Sequence, residues 1–210
     1  MTKDLRITQL LCSRLCHDLV GPVGAINNGV ELIEDAPELL DESLALLSNS
    51  GKQAVRRLAF YRTAFGFGGG DGGGALNDTR RLAEDFLADG NISLEWPESA
   101  GGGHTLGKGV IKLLMNIILL GVAALPRGGT LHVGLNAQND ALEVVVTASG
   151  QGAVLRDDLR AALASDFSID DLTAHTVQSQ FTTRLAQSVN AEMILTADAD
   201  EIQLVATVPL

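Results

Sequence analysis

The chain has 210 residues, of which 46% are hydrophobic and 4% aromatic, and its formal net charge at pH 7 is −11. This length fits one large domain or two small ones, and the negative charge argues against a nucleic-acid-binding protein, which needs clustered Lys and Arg. The first residues contain no apolar signal region, and polar residues interrupt the longest apolar run, 110–125. We therefore expect no membrane segment and a cytoplasmic protein.

Residues 1–65 are predicted to form an antiparallel helical hairpin. Apolar residues repeat at spacings of three and four over 11–33 and again over 40–65, with a short turn at 34–37. This pattern is typical of helices that pack in a bundle. Because two helices cannot enclose their own apolar seam, we expect a homodimer in which two hairpins form a four-helix bundle. The alternative is that the C-terminal part of the chain covers the seam.

A glycine-rich segment at 66–74 predicts a flexible linker to a second domain at 75–210. Helix patterns in the second domain cover 79–88, 108–125, 157–164 and 176–189. Strand patterns cover 92–95, 130–135, 142–148, 192–196 and 201–208. Because the strands come in adjacent pairs, we expect a mixed or antiparallel sheet with helices on one face. The predicted fold class is α+β, with a helical hairpin followed by a two-layer α/β sandwich.

His17 lies on the first predicted helix, opposite the centre of its apolar stripe, if successive residues turn by about 100°. It is therefore predicted to be exposed. Its neighbours on that face are Ser13, Arg14, Gly21, Gly24 and Asn28. Most of these residues are small, so another molecule can approach the ring closely, and we expect the face to dock a partner. Leu10 is placed on the same face as a further docking contact.

The chemistry of this stretch is that of a nucleophile. A neutral imidazole has a pKa near 6.5 and can attack phosphorus at neutral pH. Asp18 follows directly and is a candidate to orient the ring or to hold its proton. Pro22 removes a backbone donor and is expected to bend the helix just past His17. This His-Asp-x-x-x-Pro arrangement resembles the H-box in the dimerisation and histidine-phosphotransfer domain of sensor histidine kinases. The resemblance implies that residues 1–65 form such a domain. Two cysteines nearby, Cys12 and Cys16, are predicted to be core-edge residues.

The C-terminal part resembles the ATP-binding domain of those kinases in a degenerate form. Asn116 matches the first asparagine of the family's N-box, but Leu120 stands where the second asparagine holds Mg²⁺. Ala148 stands where an aspartate holds adenine, and the lid region near residue 180 has no glycine to cradle phosphates. We expect that ATP binding is lost.

The whole chain resembles the ChpT family of histidine phosphotransferases. The resemblance is carried by "CHDLVGPVGAINNGVELIED", "RRLAFYRTAFG" and "HTVQ". It implies a dimeric phosphorelay protein that accepts a phosphoryl group on His17 from the receiver domain of a hybrid histidine kinase, CckA-like. It also implies transfer onward to the receiver aspartates of response regulators, CtrA-like and CpdR-like. No cofactor or metal of its own is expected, since Mg²⁺ would sit in the partner receiver domain.

Three other interpretations stay open at this point. An ATP-dependent sensor histidine kinase would need the nucleotide site that the sequence lacks. A non-catalytic adaptor would bind receivers without carrying phosphate. A receiver phosphatase would share the architecture and is compatible with transfer. The remaining histidines, His104, His132 and His175, are assigned no chemistry; surface or structural roles are the default for the first two.

Overall fold

The computed structural model describes residues 3–66, 76–97, 106–138 and 140–210. Its first part is a helical hairpin of α1 (Lys3–Asp35) and α2 (Leu40–Phe65), joined by a short 3₁₀ helix at Pro37–Leu39. This confirms the predicted hairpin and its turn. Most of the predicted glycine linker, and residues 98–105 with His104, lie outside the described residues, and the proposed domain boundaries stay predictions.

The remaining elements alternate helix and strand as expected. They are α3 (Leu76–Leu87), β1 (Ile92–Glu95), α4 (Lys108–Ala123), β2 (Gly129–Gln138), β3 (Ala141–Ser149), α5 (Asp157–Ala161), α6 (Val177–Ser188), β4 (Glu192–Asp198) and β5 (Glu201–Pro209). A further 3₁₀ helix spans Ile169–Asp171. The α+β fold class is thereby confirmed.

The five strands form one mixed sheet in the order β1-β2-β3-β5-β4. β1 and β2 are parallel, as a strand pair with a helical crossover requires, and the other neighbours are antiparallel. Side chains along β3 and β5 alternate between buried and half-buried. The sheet therefore has one face covered by helices, which is the predicted two-layer arrangement.

α4 is the central helix of the core. Its residues from Leu113 to Gly121 are all buried, and the helix contacts the sheet, α2, α3 and α6. A helix that is apolar on every side needs neighbours all round it. The strong hydrophobicity of this stretch is thus explained by burial within the protein, and no helix among the described residues is long and apolar enough to cross a membrane.

The hairpin and the sheet domain share one hydrophobic core. Phe60, Tyr61 and Ala64 of α2 are buried in the same cluster as α4 and the inner sheet face. A second cluster joins Ile7 of α1 to Leu172 and Val177. The alternative interpretation of the seam therefore holds for this end of the hairpin, where the C-terminal part covers it despite the glycine-rich segment.

The rest of the hairpin leaves large aliphatic side chains in solvent. Those exposed on α1 are Val20, Val23, Val30 and Leu32, and those on α2 are Leu40, Leu44, Val55 and Leu58. Leu32 lies about 200° around α1 from Val30 and so faces another side of the helix; we call the other seven residues the hairpin apolar surface. An exposed set of this size on neighbouring helices is typical of an interaction surface.

Candidate functional site

His17 projects from the middle of α1 into solvent. Its side chain is 89% exposed, as the helical periodicity predicts, while Asp18 beside it is partly buried. The Nδ1 atom of His17 lies 3.5 Å from Oδ1 of Asp18, longer than an ordinary N–H···O hydrogen bond. Nδ1 thus faces the carboxylate, and Nε2, on the opposite side of the ring, is the nitrogen open to an incoming group.

Pro22 lies inside a continuous helix, since α1 runs unbroken from Lys3 to Asp35. A proline has no N–H, so the carbonyl oxygen of Asp18, four residues earlier, loses its helical donor. Arg57 of α2 replaces that donor, because its Nη1 donates to the Asp18 carbonyl at 2.6 Å. The break in hydrogen bonding that the sequence indicates is therefore repaired by the neighbouring helix.

Tyr61 holds the side chain of the same aspartate. Its hydroxyl donates to Oδ2 of Asp18 at 2.9 Å, and the residue is only 7% exposed. Burial and the nearby Asp18 carboxylate raise the pKa of Tyr61 above its ordinary value, so the hydroxyl stays a donor at neutral pH. Sequence reasoning missed both Arg57 and Tyr61. The available signal was a lone tyrosine in an apolar seam, whose hydroxyl needs a partner when buried.

Four of the predicted docking residues share the open face around His17. Ser13, Gly21, Gly24 and Asn28 are exposed. A Cβ built on Gly21 or on Gly24 would meet no atom within 4 Å, so both lie against open space. A face lined by such small side chains lets a partner come close to the ring.

Leu10 and Arg14 are placed differently from the expectation. Leu10 packs, partly buried, against the cluster of Ile7, Leu172 and Val177 at the contact with the C-terminal part. Arg14 is 20% exposed at its side chain, with Nε 3.8 Å from Oδ2 of Asp18. Its Nη1 donates to the backbone carbonyl of His175 at 3.0 Å. Both side chains are therefore used within the molecule, because α1 lies against the C-terminal part at this level.

Both cysteines are exposed, so the expected core-edge placement of Cys12 and Cys16 is wrong. Their side chains flank the stripe that packs on α2 instead of joining it.

The other described histidines lie apart from His17: His132 pairs with Glu95 at 2.9 Å across β1 and β2, and His175 is an exposed residue just before α6.

The three residues compared above with the nucleotide site of the kinases are part of the core. Leu120 and Ala148 are fully buried among apolar side chains. Asn116 is buried as well, and its Nδ2 donates to the carbonyl of Ala64 at the end of α2, at 2.9 Å. The asparagine thus joins α4 to the hairpin. No cluster of three or more His, Cys, Asp or Glu side chains in the described ranges is arranged to hold a metal ion.

Comparison with known proteins assigns the family. Residues 76–201 match the family model of the histidine phosphotransferase C-terminal domain. Over 204 residues the chain is 35% identical to the protein phosphotransferase ChpT of Brucella abortus (strain 2308), covering 94% of this chain and 93% of that protein. The chain belongs to the histidine phosphotransferase family.

A solved structure at 32% identity supports the same assignment. The structure of a bacterial phosphotransferase superposes with a TM-score of 0.85 at 32% identity, covering 96% of each chain. The histidine kinase domain of a blue-light-activated kinase of Erythrobacter litoralis superposes with a TM-score of 0.49 at 13% identity, covering 99% of this chain and 92% of that one.

Proposed function

We propose that this histidine phosphotransferase carries a phosphoryl group on Nε2 of His17 between two receiver domains. The observation that carries the proposal is the exposed His17 ring with Nδ1 turned towards Asp18. On the family resemblance, the donor is the receiver of a CckA-like hybrid kinase, and the acceptors are CtrA-like and CpdR-like response regulators in the cytoplasm.

In the forward step the Nε2 lone pair attacks the phosphorus of the receiver's aspartyl phosphate in line. The N–P bond forms as the P–O bond to the receiver aspartate breaks, and the bonding electron pair stays on that carboxylate. Positive charge develops on the imidazole, and the Asp18 carboxylate next to Nδ1 stabilises it. Mg²⁺ in the receiver's acidic pocket would neutralise the phosphoryl oxygens, so positioning and charge supply most of the catalysis.

The proposal includes the absence of ATP-dependent self-phosphorylation. Buried aliphatic side chains support it, since Leu120 and Ala148 offer no oxygen to Mg²⁺ and no acceptor to adenine. Asn116 is fully buried, and its Nδ2 donates to the carbonyls of Ala64 and Lys112, so the side chain is enclosed between α2 and α4. The phosphoryl group on His17 would then come only from another phosphoprotein.

We also propose a homodimer through the hairpin apolar surface. Two antiparallel helices leave one side of their seam open, and a second copy closes a four-helix bundle. In an isologous dimer each protomer contributes the same aliphatic side chains, so the two surfaces can pack against each other without paired charges. His17 would remain on the outside of that bundle, one on each protomer.

The test is a labelled transfer assay. The purified chain is mixed with a receiver domain carrying labelled aspartyl phosphate and Mg²⁺, and in parallel with labelled ATP and Mg²⁺. We expect label on the wild type from the receiver and none from ATP. His17→Gln should take no label, while the matched His132→Gln, in which the exposed His132–Glu95 pair is lost, should transfer like the wild type.

Three results would contradict the proposal. A wild-type chain that takes no label from any receiver is not a phosphotransferase for those partners. Label arriving from ATP would restore the kinase interpretation. If His17→Gln still supports signalling to a response regulator in a reconstituted relay, the chain acts as an adaptor.

A further inference from the structure

The position of Asp18 is set by two side chains of α2 that lie one helical turn apart. Arg57 donates to the backbone carbonyl of Asp18 at 2.6 Å, and Tyr61 donates to its Oδ2 at 2.9 Å. Residues at i and i+4 project from the same side of a helix. The main chain and the side chain of Asp18 are thus both bound to one face of α2.

Each of these two hydrogen bonds satisfies a polar group that would otherwise have no partner. The Asp18 carbonyl has no helical donor because Pro22 follows four residues later, and an unpaired carbonyl beside a packed helix costs stability. The Tyr61 hydroxyl is buried and needs an acceptor. Asp18 supplies the acceptor for both donors.

Tyr61 is itself held rigidly. Its ring packs against those of Phe60, Phe65 and Phe86, with centroid separations of 6.2, 5.7 and 5.8 Å. A ring fixed in this way holds its hydroxyl oxygen in one place, and the O–H donates from there to Oδ2 of Asp18. It therefore restricts rotation of the Asp18 carboxylate, which would otherwise turn about its own side-chain bonds.

We propose that Arg57 and Tyr61 are positioning residues for the reaction at His17 and act through Asp18. Because Oδ2 is bound to Tyr61, Oδ1 is the oxygen that faces Nδ1 of His17. This favours the tautomer with the proton on Nδ1 and the lone pair on Nε2. The inference rests on the proposed function for its catalytic meaning, while the tautomer preference is a property of the free protein.

The first measurement is the single-turnover rate of phosphoryl transfer from a receiver. Tyr61→Phe keeps the ring packing and removes one hydrogen bond to a charged group, and we expect about a tenfold slower rate. The transfer rate of Arg57→Ala should fall by a similar factor, and Arg57→Lys should recover part of that rate. The matched control is Arg56→Ala, because Arg56 pairs with Asp89 and has no bond to Asp18; its rate should stay within about twofold of wild type.

A double-mutant cycle separates positioning from a purely structural role. If Tyr61 acts through Asp18, the Tyr61→Phe change should cause no further loss in an Asp18→Ala background. An equal loss in both backgrounds overturns the proposal, and so does a wild-type rate in Tyr61→Phe. Thermal unfolding of each variant identifies any that fail to fold, and Tyr61→Phe, the most conservative, decides the case if others do.

The second measurement does not depend on activity. Nitrogen-15 NMR of the histidine rings, assigned with His17→Gln, reports which nitrogen of His17 carries the proton. We expect the Nδ1–H form to dominate in wild type and to lose population in Tyr61→Phe, but not in Arg56→Ala. An unchanged tautomer population overturns the inference even if transfer is observed. A changed tautomer population supports the inference even if none of the tested receivers transfers a phosphoryl group. That lack of transfer would count against the proposed function alone.

Discussion

At the scale of single residues, Asp18 makes more contacts than its proposed role beside His17 requires. Its carbonyl and its carboxylate both accept hydrogen bonds from α2. Arg14 adds a positive charge 3.8 Å from the same carboxylate and binds the backbone of His175. One partly buried aspartate therefore connects α1 to α2 and, through Arg14, to the C-terminal part.

The pKa of Tyr61 provides a direct reading of this arrangement. The chain has a single tyrosine, so the near-ultraviolet tyrosinate absorbance reports Tyr61 alone. Burial first, and then the Asp18 carboxylate, raise its pKa. We expect the folded protein to titrate well above the ordinary value of about 10, and Asp18→Asn to titrate at a lower pH than wild type.

The same shift has a consequence for stability. The folded state favours the protonated hydroxyl, so its contribution is fully present below the unfolded pKa of about 10 and is lost as pH rises above that value. The free energy of unfolding should decline above about pH 10 more steeply in wild type than in Tyr61→Phe. If Tyr61 of the folded wild type titrates near pH 10, the side chain is not buried beside Asp18 as described.

At the scale of elements, the two hairpin helices approach closely at a glycine. A Cβ on Gly29 would lie 2.9 Å from Cγ of Leu47 and 3.5 Å from the Ser43 carbonyl. Close approach of this kind explains why a residue of low helix propensity lies inside α1. Gly24, on the outer face of the same helix, has open space instead.

This contrast predicts opposite effects for the same substitution. Gly24→Ala should raise the free energy of unfolding by about 0.5–1 kcal/mol, because alanine improves helix propensity at no steric cost. Gly29→Ala should lower it by about 1–3 kcal/mol, since the added methyl group pushes the helices apart. Urea denaturation of both variants measures the difference. A stabilised Gly29→Ala would mean that the helices do not pack as described.

At the scale of the whole molecule, the hairpin and the sheet domain are joined through polar and apolar contacts. Asn116 binds the end of α2 through the Ala64 carbonyl, and Arg6 donates to the carbonyls of Ile169 and Asp170. The rings of Phe65 and Phe181 add a contact between α2 and α6 at 5.6 Å. These contacts hold the C-terminal part against the hairpin.

The free side of the hairpin leads to a prediction about assembly. We expect light scattering to give twice the chain mass of 22.0 kDa. Leu44→Glu places a charge within the hairpin apolar surface and should weaken the dimer by at least about tenfold. Asn49→Glu adds the same charge at an exposed position outside that surface and should leave the dimer intact. A wild-type monomer at micromolar concentration would contradict the dimer.

The local pattern of the chain was sufficient to predict the elements. Three-and-four spacing predicts α1 and α2, and alternation predicts β3 and β5, because these periods reflect which side chains share a face. The strand of 92–95 agrees with β1 at both ends. Exposure of His17 follows from the same periodicity, since it depends only on its angle from the apolar stripe.

Only the tertiary structure decided which residues support the histidine and what covers the hairpin. Arg57 and Tyr61 are about forty positions from Asp18, and no local pattern states that a helix will turn back and donate to the carbonyl freed by Pro22. Leu10 and Arg14 have the periodicity of an outer face, yet the C-terminal part lies against them. Periodicity identifies the faces of a helix, but the neighbour of each face depends on contacts between distant segments.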